Sequence, residues 1–313
     1  MSVKGDLLLV GNLNVDLIYE VDELPAAGVS TPVRGFRRSY GGCGGNIGYA
    51  AAMLGIDVHL SSVVGEDLSP GYRSRLEEVG VDLSHLVVDP ELPSPYCLVL
   101  SSRNEEQAYA FMMGAMERQT LCEVPEGEYP FCHLATSDPS FCRRVSESMR
   151  KRGAQVALDP GQEIFFRWSA EDLAGTLKNC SRFFSNLGEW EHLGKVMGWE
   201  KETIDLGGMN IPTYREAFSL VEEAVVTLGR YGSALIRKDD ILQVPAVDVK
   251  KIKDPTGAGD AFRGGYYAGS KYGLEGADIL RTANAMGAIA IQAEGPQGYY
   301  TTMDEVERIA KGL

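Results

Sequence analysis

The sequence predicts an α/β protein: a mainly parallel sheet flanked by helices, with a small antiparallel β lid. Three observations lead there. Short apolar runs alternate with helical patterns along most of the chain, two stretches read as strands with no helix between them, and 313 residues suffice to bury one large core. The expected organisation is one domain over residues 1–313, with the lid inserted at 15–40 and 92–115.

Taken in order, 6-DLLLVGNLNVDLIYEV-21 is a buried apolar strand, a glycine turn and a second strand in which polar residues alternate with apolar ones. Small residues fill the helical stretch 46-NIGYAAAMLG-55, Gly55 ends it, and the strand 56-IDVHLSSVVG-65 completes a β-α-β unit. The rhythm recurs in a helix at 71–80, strands at 154–159 and 181–186, and a helix at 213–223 leading into a strand at 224–229. Long helices follow after Asp260 and over 277–293. Such alternation is the pattern of a parallel sheet covered on both faces. In 15–40 and 92–115 turn signals separate strand patterns instead, so the two insertions are expected to pair as a flap.

Composition narrows the function. Lys and Arg total 30 against 44 Asp and Glu, a formal charge of -14 that opposes binding to nucleic acid or to an anionic membrane surface. Small anions stay admissible, because backbone amides bind them whatever the net charge. No run approaches the roughly 18 apolar residues of a membrane span. The opening MSVKGDLLLVGN has too short an apolar run for a signal peptide, so a cytoplasmic protein is expected. The six cysteines form no C-x-x-C pair and do not cluster with the four histidines, which favours reduced structural thiols over disulfides or zinc.

The strongest chemical signal is 254-DPTGAGD-260. Pro255 bars Asp254 from helical geometry, while Gly257 and Gly259 admit backbone conformations closed to other residues, so successive amides can point one way. A helix starting near Asp260 adds the positive end of its dipole, which suits a phosphoryl group. Asp260 fits two roles: an N-cap after a glycine turn, or, beside a phosphate, a carboxylate that accepts a proton. Neither G-x-x-x-x-G-K-[ST] nor a G-x-G-x-x-G after the first strand occurs, which argues against a P-loop enzyme and a dinucleotide fold.

The run DPTGAGDAFRGG at 254–265 resembles the C-terminal signature of the ribokinase or PfkB family of carbohydrate and nucleoside kinases, and 41-GGCGGNIGYAAAMLG-55 resembles its N-terminal signature. The resemblance spans nearly the whole chain and implies a ribokinase-like fold using ATP and Mg2+. It implies that Asp260 is the general base and that Gly257, Ala258 and Gly259 supply anion-hole amides. The segment 186-NLGE-189 resembles the family's N-x-x-E, in which Asn186 and Glu189 would act on Mg2+ through water. The segment 227-TLGRYG-232 resembles its T-x-G-x-x-G turn, placing Thr227, Gly229 and Gly232 with Asp254, Asn186 and Asn284 around ATP. A monovalent cation (K+) near the anion hole would find carbonyl ligands in 294-EGPQGY-299. By themselves, NLGE fits a solvated loop pair and TLGRYG a strand-end turn.

The same resemblance assigns Asp16, Asn12, Gly41, Gly42 and Asn46 to the acceptor, with Asn14 ranked below Asp16. Alone, Asp16 reads equally as an edge-strand charge and Asn46 as a helix N-cap. Local similarity of 40-YGGCGGNIGYA-50, 114-GAM-116, 159-DPGQ-162 and 295-GPQGY-299 to prokaryotic nucleoside and adenosine kinases favours a nucleoside. Its base needs an apolar platform, for which Tyr96, Tyr109, Phe111, Met112 and Met113 are candidates, Phe111 and Met113 first. The expected function is ATP-dependent phosphorylation of the 5′-hydroxyl of a nucleoside, adenosine first, by in-line transfer. The alternatives are a sugar kinase acting on ribose, fructose or a sugar acid, and a non-catalytic nucleoside-binding sensor, against which the intact Asp260 argues. A small-molecule substrate, no nucleic acid and no membrane are the expected partners, and a homodimer through the β lid is a compatible assembly.

Overall fold

The computed structural model describes residues 3–104, 106–206 and 208–312. Strand β1 (Leu7–Val10) is apolar throughout because the sheet is covered on both sides: Leu7 and Leu9 enter one core, Leu8 and Val10 the other. The chain then runs out into β2 (Asn14–Val21) and β3 (Val33–Gly41). It returns through α1 (Cys43–Met53), β4 (Val58–Gly65), α2 (Pro70–Glu78), β5 (Val81–Asp82) and β6 (Leu86–Asp89). A second excursion, β7 (Tyr96–Ser102) and β8 (Gln107–Met112), precedes β9 (Phe131–Leu134), α3 (Pro139–Lys151), β10 (Gln155–Leu158), α4 (Ala170–Leu177), β11 (Arg182–Asn186) and α5 (Leu187–Met197). After the hairpin β12 (Glu202–Leu206) and β13 (Met209–Thr213) come β14 (Glu223–Thr227), β15 (Ser233–Ile236) and β16 (Ile241–Val244). Helices α6 (Ala258–Lys271), α7 (Gly276–Ala290) and α8 (Met303–Ala310) finish the chain.

The main sheet has the order β16-β15-β14-β11-β10-β9-β1-β4-β5, with β6 also paired to β4. Every pair from β14 across to β5 and β6 is parallel, and only β15 is reversed, pairing antiparallel with both β14 and β16. Ile47, Tyr72, Phe262, Leu280 and Val306 bring α1, α2, α6, α7 and α8 onto one face, and Phe141, Leu173 and Trp190 bring α3, α4 and α5 onto the other. Parallel strands end at one edge. Asn12, Thr136, Asp159, Asn186 and Thr227 therefore stand side by side at the ends of β1, β9, β10, β11 and β14, the position at which α/β sheets bind ligands.

One helix contact sets the geometry of that edge. A Cβ on Gly264 of α6 would fall 2.5 Å from the Ala50 Cβ and 2.8 Å from the Ala51 amide nitrogen of α1, so only glycine lets the two helices lie this close. The small residues read in 46–55 and the glycines of DAFRGG are two sides of one crossing. It carries Asp260 against Asn46.

The two insertions do pair, as a four-stranded sheet β3-β2-β7-β8. Both of its hairpins are antiparallel, while β2 and β7, which join them, lie parallel. The stretch 213–223 is not the expected helix. Thr213 ends β13, a short 3-10 turn covers Arg215–Ser219, and Glu223 begins β14. Strand pairing with 202–206 and burial of Tyr214 against Trp190, ring centroids 5.3 Å apart, outweigh the local helical pattern. Helices α3, α4 and α5 stand outside the elements the sequence predicted. Asp138 caps α3 by accepting from the Phe141 amide, and Ser169 with Asp172 closes a capping box on α4.

Candidate active site

A cleft of about 730 Å³ opens between the lid and the strand ends. Asp260 stands in the first turn of α6, whose N-cap, Gly257, adopts a left-handed φ of 78°. Among the described residues no acceptor takes the amides of Gly257, Gly259 and Asp260, and that of Ala258 reaches only the Pro255 carbonyl, at 3.3 Å. Unpaired amides at the positive end of a helix dipole form a cradle for a phosphoryl group. Burial pushes the Asp260 carboxyl up to about 6; a hydrogen bond from Asn46 and the Arg263 charge pull against that, and Asp159 adds to it. A carboxyl in that range is ionised at neutral pH yet basic enough to take a hydroxyl proton.

On the acceptor side a run of amides aims Asp16. The Cys43 amide donates to Asn12 Oδ1 at 2.9 Å, Asn12 Nδ2 donates to Asn14 Oδ1 at 3.0 Å, and Asn14 Nδ2 donates to Asp16 Oδ1 at 2.7 Å. Asn14 is thus the link that holds Asp16. Burial pushes Asp16 up to about 6 against the pull of Asn14 and Arg37. A Cβ on Gly41 would fall 2.7 Å from Asp16 Oδ2, so a side chain there would displace the Asp16 carboxylate, and Gly42 lines the cleft as the cap of α1. Asn46 is turned elsewhere: its Nδ2 donates to Asp260 Oδ2 at 2.8 Å and its Oδ1 accepts from Gln297 Nε2 at 3.0 Å. From the lid, Cys97, Tyr109 and Phe111 face the cleft, and Phe111 is 41% exposed. Met113 lies off the cleft wall, at the cap of a 3-10 turn over Gly114–Leu121.

On the donor side Asn186, Glu189 and Thr227 line the cleft. Asn186 and Glu189 close a capping box on α5, Asn186 Oδ1 accepting from the Glu189 amide at 2.9 Å and Glu189 Oε2 from the Asn186 amide at 2.8 Å. Burial raises the Glu189 carboxyl, Asp159 and Asp260 raise it further, and Arg263 opposes them. Asp159, Glu189 and Asp260 therefore face a single guanidinium, and the residual negative charge fits a hydrated Mg2+. Gly229 and Gly232 shape the turn after β14 and are not on the cleft wall. Asp254 also lies off it: Oδ1 accepts from the Thr256 amide at 2.9 Å and Oδ2 from the Gly295 amide at 3.0 Å, tying the 254–259 loop to 294–299. Asn284 is buried away from the cleft, its Nδ2 donating to the carbonyls of Val244 and Pro245.

Among the cleft residues outside the sequence assignment, Arg263 and Asp159 form a buried ion pair. Arg263 clasps Asp159 through Nε and Nη2, at 2.6 and 3.1 Å, and its Nη1 donates to the Gly259 carbonyl at 3.1 Å. Burial alone would raise Asp159; Arg263, with His133 behind it, overcomes that and holds the carboxyl down to about 2. The pair braces the backbone at Gly259. The signal available was a lone arginine among the small and aromatic residues of DAFRGGYYAG, with an acid closing the apolar strand 154-AQVALD-159.

Unpaired amides around a carboxylate, under a small sheet that carries Asp16 into the same cleft, fit one class: a phosphotransferase with an alcohol acceptor. The model of the pfkB family carbohydrate kinases matches residues 4–303, and the chain belongs to that family. It is an ATP-dependent kinase of carbohydrates or nucleosides. The chain is 31% identical over 304 residues to a nucleoside kinase of Methanothermobacter thermautotrophicus, covering 95% of this chain and 93% of that one. The crystal structure of Methanocaldococcus jannaschii nucleoside kinase, a member of the ribokinase family, matches with a TM-score of 0.89 at 25% identity, over 100% of this chain and 99% of that one. Burkholderia thailandensis nucleoside kinase in complex with inosine matches at 0.86 with 26% identity, over 98% of each chain. The fold is ribokinase-like.

Proposed function

We propose that the chain phosphorylates the 5′-hydroxyl of a nucleoside, adenosine first among the candidates, by one in-line transfer from ATP. The observation that carries this is the meeting, in one cleft, of Asp260 with the free amides of Gly257 and Gly259 and the half-exposed lid aromatics Tyr109 and Phe111. Ribose alone would leave those rings without a partner. A stacked base would cover them at about 25 cal/mol per Å² of apolar area. Asp16, aimed by Asn12 and Asn14, grips the ribose hydroxyls, and Asp260 takes the proton of the 5′-hydroxyl. The 257–259 amides hold the transferring phosphoryl as its charge develops. Asn186 and Glu189 would hold Mg2+ through water, and Mg2+ supplies charge neutralisation there. The carbonyls of 294–299 would hold K+.

The test is ADP release with ATP and Mg2+ over adenosine, inosine, cytidine, ribose, fructose and 2-keto-3-deoxygluconate. A nucleoside should give the highest kcat/KM. Phe111→Ala should lower it by about tenfold, while ribose turnover and Tm stay put because the ring is half exposed. A sugar favoured tenfold over every nucleoside overturns the acceptor. Tight nucleoside binding with no ADP release makes the chain a sensor.

A further inference from the structure

The two oxygens of Asp260 are not equivalent, and the difference originates 219 residues of sequence away, at Gly41. The Gly41 carbonyl can only accept, and the Tyr72 hydroxyl donates to it at 2.6 Å. With its hydrogen committed, Tyr72 Oη offers a lone pair, so Gln297 must present Nε2 to it, at 3.1 Å. The other Nε2 hydrogen meets Asn46 Oδ1 at 3.0 Å, which leaves Asn46 Nδ2 facing Asp260 Oδ2 at 2.8 Å. Reversing either amide would set oxygen against oxygen. The orientation even leaves the buried Gln297 Oε1 without a hydrogen bond, as expected if its two acceptor contacts dictate it.

We infer that Gln297 is a positioning residue: the relay Gly41–Tyr72–Gln297–Asn46 delivers a fixed donor to Oδ2 of Asp260 and so reserves Oδ1 for the acceptor's proton. This rests on the role proposed for Asp260. A proton on Oδ2 would leave a weaker acceptor for the Asn46 donor, so Oδ1 is the oxygen that takes one at full strength of the chain. The Gln297 backbone is pinned separately, its carbonyl accepting from Arg75, so side-chain changes at 297 address the relay rather than the loop. The other groups facing Asp260 are Cys43 on α1, Arg263 on α6 and Asp159 after β10, with Glu189 on α5, Tyr72 on α2 and Tyr299 farther out. None of them changes in the variants below except Tyr72.

The experiment compares kcat/KM against pH for wild type, Gln297→Met and Gln297→Glu. Methionine keeps the shape and removes the donor, freeing Asn46 to turn; glutamate accepts where glutamine donated, drawing Asn46 Nδ2 away and presenting Oδ1 to Asp260. The acid limb should move to higher pH in the order wild type, Met, Glu, by about half a unit and about one unit, with kcat falling about tenfold for Glu and the ATP KM within about threefold. Coincident acid limbs overturn the relay. If a buried glutamate at 297 prevents folding, Tyr72→Phe decides: it removes the lone pair that orients Gln297 and should move the limb the same way, and an unmoved limb overturns the relay. Asp260→Asn separates the two readings. An inactive Asp260→Asn beside unmoved limbs removes the relay alone, whereas an active one removes the base and the relay with it.

Discussion

Replacing Asp260 with asparagine should stabilise the protein while disabling it. The carboxyl is held at about 6 in the fold against an ordinary 3.8, chiefly by burial. A group raised in this way is most favourable to folding below its unfolded value, and the advantage is lost as pH rises through the folded value, because the native state binds more protons in that window. Two pH units at 1.36 kcal/mol each make the ionised carboxylate cost about 3 kcal/mol at pH 7, an upper figure for a group that meets the cleft's solvent. The neutral amide removes that cost and can still offer an oxygen to Asn46 Nδ2. At roughly 2.1 cal/mol/K of unfolding entropy per residue, a gain of that size in a chain of this length corresponds to a Tm rise of about 5 °C. Calorimetry at stepped pH tests the origin of the effect: the gain should shrink to about half at pH 5 and vanish below about pH 4, as wild type itself becomes protonated. Turnover should fall by about 10²-fold or more. A Tm difference that does not change between pH 7 and pH 4, or no gain at all, would refute the account of a desolvated base.

Gly257→Ala meets a left-handed φ and presses its methyl on Pro296, so denaturant unfolding should show a loss of about 1–3 kcal/mol together with a large fall in turnover. Asp159→Asn leaves the buried Arg263 guanidinium without its charge partner, a change that costs about 3–5 kcal/mol, and should show as a much lower Tm. Arg263→Lys should not rescue activity, because an ammonium cannot grip Asp159 with two parallel bonds and hold the Gly259 carbonyl as well.

The frame of the fold was legible because it is written in short-range periodicity: LLLV at 7–10 is apolar at every position since both faces are covered, and the two insertions betrayed themselves by lacking helices. The glycine turn and Asp260 were legible for the same local reason. What lay beyond reach were pairings across the chain. Asp159 and Arg263 are 104 positions apart, and Asn46 and Asp260 are 214 apart, so spacing says nothing of their contact. The neighbours of Asn46 in the sequence point it toward the substrate; only the crossing of α1 with α6 at Gly264 shows it bonded to Asp260. Asn284 and Asp254 carry polar side chains near the expected nucleotide, yet both are spent on backbone groups that hold loops in place. At 213–223 the helical pattern was real and lost to the hairpin beside it.

Asp16 stands on β2, a strand of the lid, while Asp260 stands on the body, and the parallel pairing of β2 with β7 joins both lid excursions in one sheet. The two jaws therefore form a caliper. On the proposed reading, the gap between the gripped hydroxyls and the base is a dimension supplied by the guest, which must be long enough to be held at one end while its reactive oxygen meets the other. On that reading water, which is too short to reach from Asp16 to Asp260, would be held at neither end, and ATP would be protected from hydrolysis by length rather than by exclusion alone.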